Sequence, residues 1–134
     1  MEIPEKARDV LDKAKYVRVG TCSDGVPNIN IVYYCKMIDE DKLLLADNYF
    51  NKTKYNLEQN PYMAVSARLP GESTAYELKG AVDIYTSGPT FEEMRRWVRS
   101  DSEDMPAKAA VVLNVERVFD QSPGDGAGKE VNPS

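Results

Sequence analysis

Lys52 and Thr53 are neighbours at the point where a strand-like segment of the sequence gives way to a helix-like one. The apolar run at 43–46 is short and bounded by lysine and aspartate, which is typical of a buried strand, and Leu57 follows Thr53 at helical spacing. The first backbone N–H groups of a helix have no internal acceptors and carry the positive end of the helix dipole. A lysine and a threonine placed there can hold an anion such as a phosphate.

The same residues also have a simpler interpretation. Asn51 or Thr53 can act as the N-cap of the helix, and Lys52 can be a solvated side chain that binds nothing. Capping is the commoner role of polar residues before a helix, so the residues alone leave the phosphate site as a hypothesis. Asn60-Pro61 is expected to end the helix, because proline disfavours helical geometry in the residue before it.

A second group of polar side chains lies in the β-rich segment 26–38, which is predicted to form one long strand. Because side chains alternate along a strand, Asn28 and Asn30 share one face, and Ile29 and Ile31 share the other. Asparagine is a poor strand former, so this pair needs an explanation. The amides either satisfy loose backbone groups at the start of the strand or bind a polar ligand, and the sequence favours neither.

The chain contains no histidine among its 134 residues. Ser-His-Asp and Cys-His nucleophiles, histidine general bases and histidine-ligated metals are therefore excluded. No catalytic side chain or metal site is predicted, and an enzyme of this composition would need a cofactor to carry the reaction. Cys22 and Cys35 lie in strand-like segments without CxxC spacing, and we expect them to be buried free thiols.

The charge and hydropathy of the chain restrict its partners and location. The formal net charge is -5, with 17 basic and 22 acidic residues and no large basic cluster, which argues against a nucleic-acid partner. No apolar run is long enough to span a bilayer, and the N-terminal residues are too charged for a signal peptide. We therefore expect a cytoplasmic protein without a membrane partner.

Hydrophobic periodicity predicts a mainly β fold with few helices. An amphipathic helix is predicted over 3–15, and Thr90 and Glu93 have the spacing of a capping box that starts a second helix through Trp97, a residue expected in the core. Gly80, in the middle of a strand, predicts a bulge or a close backbone approach. Six strands are predicted at 16–22, 26–38, 43–46, 62–68, 73–85 and 108–119.

These elements predict one domain over 1–120, a six-stranded antiparallel barrel with minor α content and short helices covering its ends. The remaining residues, 121–134, are mostly glycine, proline, aspartate and serine. Such a segment cannot bury enough apolar surface to order itself, so a disordered C-terminal tail is predicted.

Five short motifs, in this order and spacing, resemble the pyridoxamine 5′-phosphate oxidase-like FMN-binding split-barrel family. The likeness is greatest to its small single-domain flavin-binding members and covers about 15–118. Each motif is weak alone, and their combination is what makes the resemblance specific. The motifs are Thr21–Asn28, Leu45–Asn48, Lys52–Leu57 with Asn60-Pro61, Tyr76–Ala81 and Lys108–Val112.

The resemblance implies an FMN-binding flavoprotein, a homodimer of split barrels with FMN at the subunit interface. It implies an oxidoreductase in which bound FMN transfers hydride or electrons, with a nicotinamide or another small molecule as redox partner. By this resemblance Lys52 and Thr53 would grip the phosphate, and two further groups would follow the rest of the cofactor. They are Asn28, Ile29, Asn30, Ile31 and Val32 along the ribityl chain and flavin edge, and Ala46, Asp47 and Asn48 at the isoalloxazine ring and ribityl hydroxyls.

The chain departs from true pyridoxamine 5′-phosphate oxidases at two points. Their Arg-x-x-Leu-Leu-Lys pattern is absent where Asn30 to Cys35 stand, and the basic residues that bind their substrate phosphate have no counterparts, so vitamin B6 oxidation is not expected. The alternatives are a non-catalytic FMN carrier or storage protein, a deazaflavin-dependent reductase, or a scaffold that has lost its cofactor. Haem binding would lack the usual histidine ligand.

Overall fold

The computed structural model describes residues 1–132, which form three helices and eight strands. The helices are α1 (Glu5–Lys13), α2 (Lys52–Gln59) and α3 (Pro89–Asp101). The strands are β1 (Val17–Ser23), β2 (Val26–Val32), β3 (Cys35–Asp39), β4 (Lys42–Asp47), β5 (Tyr62–Arg68), β6 (Ala75–Tyr85), β7 (Ala109–Asp120) and β8 (Glu130–Val131).

The described strands form one antiparallel sheet in the order β2-β1-β5-β6-β7-β4-β3, with β8 paired to β7. The two edge strands, β2 and β3, are consecutive in sequence and are joined only by Tyr33 and Tyr34. Two residues span at most about 10 Å, so the sheet must fold back until the end of β2 lies close to the start of β3. The edges do not pair with each other, and the sheet stays open there. We call this opening the seam.

The prediction of a mainly β antiparallel fold is confirmed, but the prediction of six strands is wrong. The segment 26–38, predicted as one strand, divides into β2, which pairs with β1, and β3, which pairs with β4. The alternation of side chains continues from β2 into β3. Alternation shows which side chains share a face of the sheet, but it does not show which strand pairs with each segment.

The eighth strand lies inside the predicted disordered tail. Val131 pairs with Val118, and Glu130 pairs with Phe119 and forms an ion pair with Arg117 at 2.9 Å. The prediction of disorder is therefore wrong at β8. Pro133 and Ser134, which belong to the same predicted tail, lie outside the described residues, and the domain boundary at 120 stays a prediction.

The buried side chains form two clusters on opposite faces of β4. Leu43 and Leu45 pack into the larger cluster inside the folded-back sheet, while Leu44 and Ala46 pack against α3 in the smaller one. A strand covered on both faces is expected to be apolar at every position, which explains the continuous run at 43–46. The predicted buried strand is confirmed.

The helices agree with the periodicity in position but not in every detail. α1 buries Ala7, Val10 and Leu11, as its amphipathic pattern predicts. α3 begins at Pro89 after Gly88 and has no side-chain cap hydrogen bond, so the capping box is wrong. Proline suits the first helical position, since its missing N–H would have no acceptor there. No helix among residues 1–132 is long and apolar enough to cross a membrane.

Three further expectations concern single residues. The predicted bulge at Gly80 is confirmed by a register shift beside it, and a Cβ there would lie 1.8 Å from the carbonyl oxygen of Asn114. Cys22 and Cys35 are free thiols, as expected, but half-buried, and burial raises the pKa of Cys35 to about 12. Trp97 is half-buried at the edge of the smaller cluster.

Candidate functional site

The turn between β4 and α2 is built by the side chain of Asp47. Its carboxylate is buried and accepts a hydrogen bond from the backbone N–H of Phe50 at 3.0 Å, and the Phe50 carbonyl accepts one from Thr53 N–H at 3.0 Å. The turn passes through Asn51, whose φ of 48° is unusual for a residue other than glycine. Asp47 therefore shapes the backbone that presents the start of α2.

Thr53 and Asn28 meet at the start of α2, although they are 25 residues apart in sequence. The Asn28 side-chain amide donates to Thr53 Oγ1 at 3.3 Å, and Thr53 is fully buried. Lys52 is exposed and has no ion pair among the described residues. The N–H groups of Asn51 and Lys52 have no backbone acceptor within residues 1–132. We call this group the α2 corner.

The alternative interpretation is confirmed in part: Asn51 is the N-cap and Lys52 is exposed, but no side chain makes a capping hydrogen bond to α2. Asn51 occupies the N-cap position but makes no side-chain cap hydrogen bond. The hydroxyl of Thr53 is directed to Asn28 on another strand. The free N–H groups and the lysine at the α2 corner therefore remain available to an anion.

Two asparagines, one in α2 and one at its C-terminal end, hold the helix against β1. Neither was predicted from the sequence to be a ligand or an anchor. The buried Asn56 amide donates to Thr21 Oγ1 at 3.1 Å, and the Asn60 amide donates to the Cys22 carbonyl at 3.1 Å. Each bond crosses from the helix to a strand, so the α2 corner is held on a rigid support.

A cavity of about 540 Å³ lies beside the seam and has a size typical of small-molecule sites. Its walls come from the end of β2 and the link to β3, from the end of β4 and the turn after it, and from the C-terminal end of α3. We call it the seam cavity. It is lined by Lys15, Asn30, Ile31, Val32, Tyr33, Tyr34, Ala46, Asn48, Tyr49, Phe50, Asp101 and Met105.

Five of the ten predicted site residues line this cavity, namely Asn30, Ile31, Val32, Ala46 and Asn48. The other five do not. Asn28, Lys52 and Thr53 form or adjoin the α2 corner, and Asp47 uses its carboxylate within the turn. Ile29 is 76% exposed on the opposite face of β2 from the two asparagines.

Asn48 holds the floor of the seam cavity to the segment before β7. Its side-chain oxygen accepts a hydrogen bond from Ala107 N–H at 2.8 Å, and the neighbouring carbonyl of Asp47 accepts one from Lys108 N–H at 2.8 Å. Ala107, at this connection, has a φ of 46°, which is rare for alanine. The amide nitrogen of Asn48 has no side-chain hydrogen bond to the described residues, and Asn48 lines the cavity.

Tyr34, Asp101 and Met105 form a wall of the seam cavity that was not predicted from the sequence. The Tyr34 hydroxyl donates to Asp101 Oδ2 at 2.6 Å, and its ring meets Trp97 edge-on with 5.8 Å between ring centroids. The hydrogen bond to the carboxylate raises the pKa of Tyr34. No sequence signal could have placed Asp101 here, because 67 residues separate it from Tyr34 and only the packing of α3 joins them.

A larger groove of about 1100 Å³ lies between α1 and β3. Its lining is mainly charged residues of α1 together with Cys35, Met37 and a few neighbours. None of the predicted site residues reaches it, and no group of three or more His, Cys, Asp or Glu residues within 1–132 could hold a metal ion. The seam cavity is therefore the better candidate despite its smaller size.

Comparison with known proteins identifies the family. The family model described as pyridoxamine 5′-phosphate oxidase matches residues 3–122, so this chain belongs to the pyridoxamine 5′-phosphate oxidase family. The chain is also 31% identical over 116 residues to the uncharacterised protein MJ0282 of Methanocaldococcus jannaschii, an alignment that covers 84% of this chain and 77% of that protein. The resemblance stated from the motifs is confirmed.

Solved structures share the fold at lower identity. HupZ of Group A Streptococcus has a TM-score of 0.80 and 24% identity, covering 94% of this chain and 99% of that one. An FMN-binding protein from Syntrophomonas wolfei has a TM-score of 0.79 and 18% identity, with coverage of 88% and 85%. An F420 reductase has a TM-score of 0.67 and 22% identity, with coverage of 87% and 98%. At these identities the structures establish the fold and not the ligand.

Proposed function

We propose that the protein binds FMN, with the phosphate at the α2 corner and the isoalloxazine ring in the seam cavity, and that it works as a flavin-dependent oxidoreductase. The observation that carries the proposal is the contact between Asn28 and Thr53. It joins β2, which continues into the cavity wall, to the start of α2, where Lys52 and unpaired N–H groups stand.

The α2 corner has the chemistry that a phosphate dianion needs. Free N–H groups at a helix start, one ammonium and one hydroxyl supply donors and positive charge together. Thr53 is buried and held by Asn28, so its hydroxyl is fixed, while Lys52 is exposed and can close over a bound anion. The α2 corner therefore combines free backbone N–H groups, held in place by the buried contact between Thr53 and Asn28, with one exposed cation.

The seam cavity fits the other part of the cofactor. Val32, Ala46 and Phe50 offer apolar surface for a planar ring, while Asn30 and Asn48 offer amide groups for ring heteroatoms and hydroxyls. When bound, the flavin would supply the hydride or electron transfer. The residues of this chain would bind it, orient it and exclude water from one side of the ring.

The same proposal includes a homodimer. β2 is an edge strand whose outward side chains Ile29 and Ile31 are 76% and 51% exposed, while Val26, on the face of the asparagines, is 66% exposed. Soluble monomers rarely leave a row of large apolar residues open on a sheet edge, because it promotes association. A second copy packed on this face would cover the isoleucines, and Ile31 also lines the seam cavity, so the partner would complete the cofactor site.

The first experiment is a visible absorption spectrum of the purified protein, followed by mass analysis of the released ligand. We expect bands of oxidised flavin, or their appearance on a stable complex after FMN is added. A colourless protein that takes up no FMN contradicts the proposal. A released deazaflavin would instead favour the F420 alternative, which has an F420 reductase among the proteins of the same fold.

The phosphate position is tested by Lys52→Ala, with Lys54→Ala as the matched control, because Lys54 is an exposed lysine of α2 that points about 200° round the helix from Lys52. Loss of one charge-assisted bond should weaken FMN binding by roughly 1.5–3 kcal/mol, which is at least about tenfold. The control should bind FMN as the wild type does. Equal affinity of both variants and the wild type would mean that the phosphate lies elsewhere.

An oxidoreductase is separated from a carrier or storage protein by reduction kinetics. Rapid mixing of the FMN-loaded protein with NADH or NADPH, followed by a second mixing with an electron acceptor, should bleach the flavin absorbance and then restore it. FMN that stays oxidised with nicotinamides and with other small reductants would favour a carrier or storage role.

A further inference from the structure

The seam cavity has two ends that differ in charge. Near one end the Asn28 amide contacts Thr53 at the α2 corner, and at the other the Tyr34 hydroxyl contacts Asp101. Tyr34 follows Asn28 by six positions, and a strand rises about 3.3 Å per residue, so the Cα atoms of these two residues lie at most roughly 20 Å apart. If a phosphate is held at the α2 corner, the end of the cavity farthest from that phosphate is the one at Asp101.

Asp101 is fixed in place by its neighbours. An O–H···O distance of 2.6 Å is that of a bond to an ionised carboxylate. Tyr34, the donor, is itself held edge-on against Trp97, and the ammonium of Lys36 lies 4.6 Å from the centroid of the Trp97 ring. Asp101 is exposed to solvent, and the Tyr34 hydroxyl holds one of its carboxylate oxygens at the cavity wall.

The positive groups near this end are less constrained or are directed elsewhere. Lys15 lines the cavity, but it is exposed and has no ion pair or side-chain hydrogen bond among the described residues. The Arg99 guanidinium is directed to the carbonyl oxygens of Met105 and Pro106, at 3.5 and 3.4 Å. Glu103 and Asp104, which are exposed, follow Asp101 and add negative charge. Lys36 pairs with Glu93 at 4.0 Å, and Lys108 lies 5.9 Å from the centroid of the Tyr49 ring. Among the residues that line the cavity the charged ones are Lys15 and Asp101, and of these two only Asp101 is held by a side-chain hydrogen bond.

We propose that Asp101, held by Tyr34, is a specificity-determining residue that admits neutral or cationic redox reactants to the far end of the seam cavity and disfavours anionic ones. This inference rests on the proposed flavin site. A fixed carboxylate repels an approaching anion and attracts a cation, and the effect is largest at low ionic strength. It acts on the rate of encounter more than on the strength of a final complex.

The test uses FMN-loaded protein, reduced without oxygen and mixed with one of two one-electron acceptors, hexacyanoferrate(III) or hexaammineruthenium(III). Two acceptor ions take the two electrons of one reduced flavin, and its protons pass to the buffer. Asp101→Asn keeps a hydrogen-bond acceptor for Tyr34 and removes the charge. It should raise the ratio of the anionic to the cationic acceptor rate by about threefold or more at low salt.

Three controls separate the charge from the hydrogen bond. Tyr34→Phe keeps the Asp101 charge, so its rate ratio should stay nearer to the wild-type value than that of Asp101→Asn. Lys15→Gln removes the free ammonium and should move the ratio in the opposite direction. Added salt should speed the anionic acceptor and slow the cationic one, and this salt dependence should be smaller in Asp101→Asn than in the wild type; because the net charge of -5 gives the same sign by itself, the comparison of the two proteins carries the test.

A second measurement does not depend on turnover. A redox titration of the bound flavin gives the ratio of the affinities for reduced and oxidised FMN. This ratio should be higher in Asp101→Asn than in the wild type, because reduction adds negative charge near the carboxylate. If FMN binds but neither the rate ratio nor the affinity ratio changes, this inference is wrong and the proposed function stands. If wild-type protein binds no FMN, the proposed function fails and the inference fails with it.

Discussion

The sequences of β4 and β2 both predict apolar strands with site residues at one end, but the two strands differ in how much of each is buried. β4 lies between two neighbours in the sheet and between two buried clusters, and Leu43 to Asp47 are all buried. β2 pairs with β1 alone, and its isoleucines face outward while Asn28 and Asn30 are half-buried. An apolar pattern thus indicates a strand but not which side chains will be covered.

This difference in burial indicates different roles for the two strands. β4 stabilises the fold and fixes the position of the turn that leads into α2. β2 contributes little apolar burial within one chain, and its outward face offers a surface to a second copy under the proposed homodimer. The experiments below test this contrast, beginning with the largest expected effect.

The largest effect should come from Leu45→Ala in β4. Leu45 is fully buried in the larger cluster, so its truncation should lower the free energy of unfolding by about 2–5 kcal/mol. Ile29→Ala in β2 should cost less than about 0.5 kcal/mol when measured at a dilution at which the protein is monomeric. Denaturant titration gives both values, and equal costs would remove the contrast between the strands.

The next effect concerns association through β2. Ile29→Lys combined with Ile31→Lys places two charges on the outward face and should weaken the proposed dimer by more than about tenfold, or about 1.4 kcal/mol. Sedimentation equilibrium measures the change, and Ile84→Lys, at an exposed isoleucine of β6, is the matched control. A wild-type protein that is monomeric at high concentration would contradict the proposed role of this face.

A smaller effect is expected for the contact between Asn28 and Thr53. A double-mutant cycle with Asn28→Ala and Thr53→Val should give a coupling energy of about 0.5–1.5 kcal/mol in the free energy of unfolding. Asn28→Ala combined with Arg117→Ala should be additive, because Arg117 pairs with Glu130 and shares no hydrogen-bond partner with Asn28. A coupling near zero in the first cycle would show that β2 is not anchored to α2 by this bond.

The smallest effect should appear at alkaline pH. The hydrogen bond to Asp101 raises the pKa of Tyr34 above its ordinary value of 10.0, since the neutral hydroxyl is the donor. The stability that this bond adds is therefore fully present below pH 10 and is lost as the pH rises through the raised pKa. The stability difference between wild type and Tyr34→Phe should shrink in that range. A difference that is constant from neutral pH through the titration would contradict the assignment.

The start of α2 at Lys52 and the strand pattern could be predicted because they depend on residues close in sequence, while a phosphate at the α2 corner stays a proposal. Lys52 and Thr53 follow β4 within a few residues, so a strand, a turn and a helix start were enough to indicate an anion site. The break at Tyr33 and Tyr34 could not be predicted, because the residues on both sides keep the same alternation. The order of the motifs was sufficient for the family, which the family model confirms.

Local sequence determined where the chain extends, where it coils and which side chains share a face, because these depend on neighbours along the backbone. Only the tertiary structure decided that β2 and β3 lie on opposite edges of one sheet, that Ile29 faces outward, and that Asp101 reaches Tyr34. The reason is that strand partners, and the layers that cover them, are chosen by burial of the whole chain. Residues distant in sequence contribute to that choice as much as neighbours do.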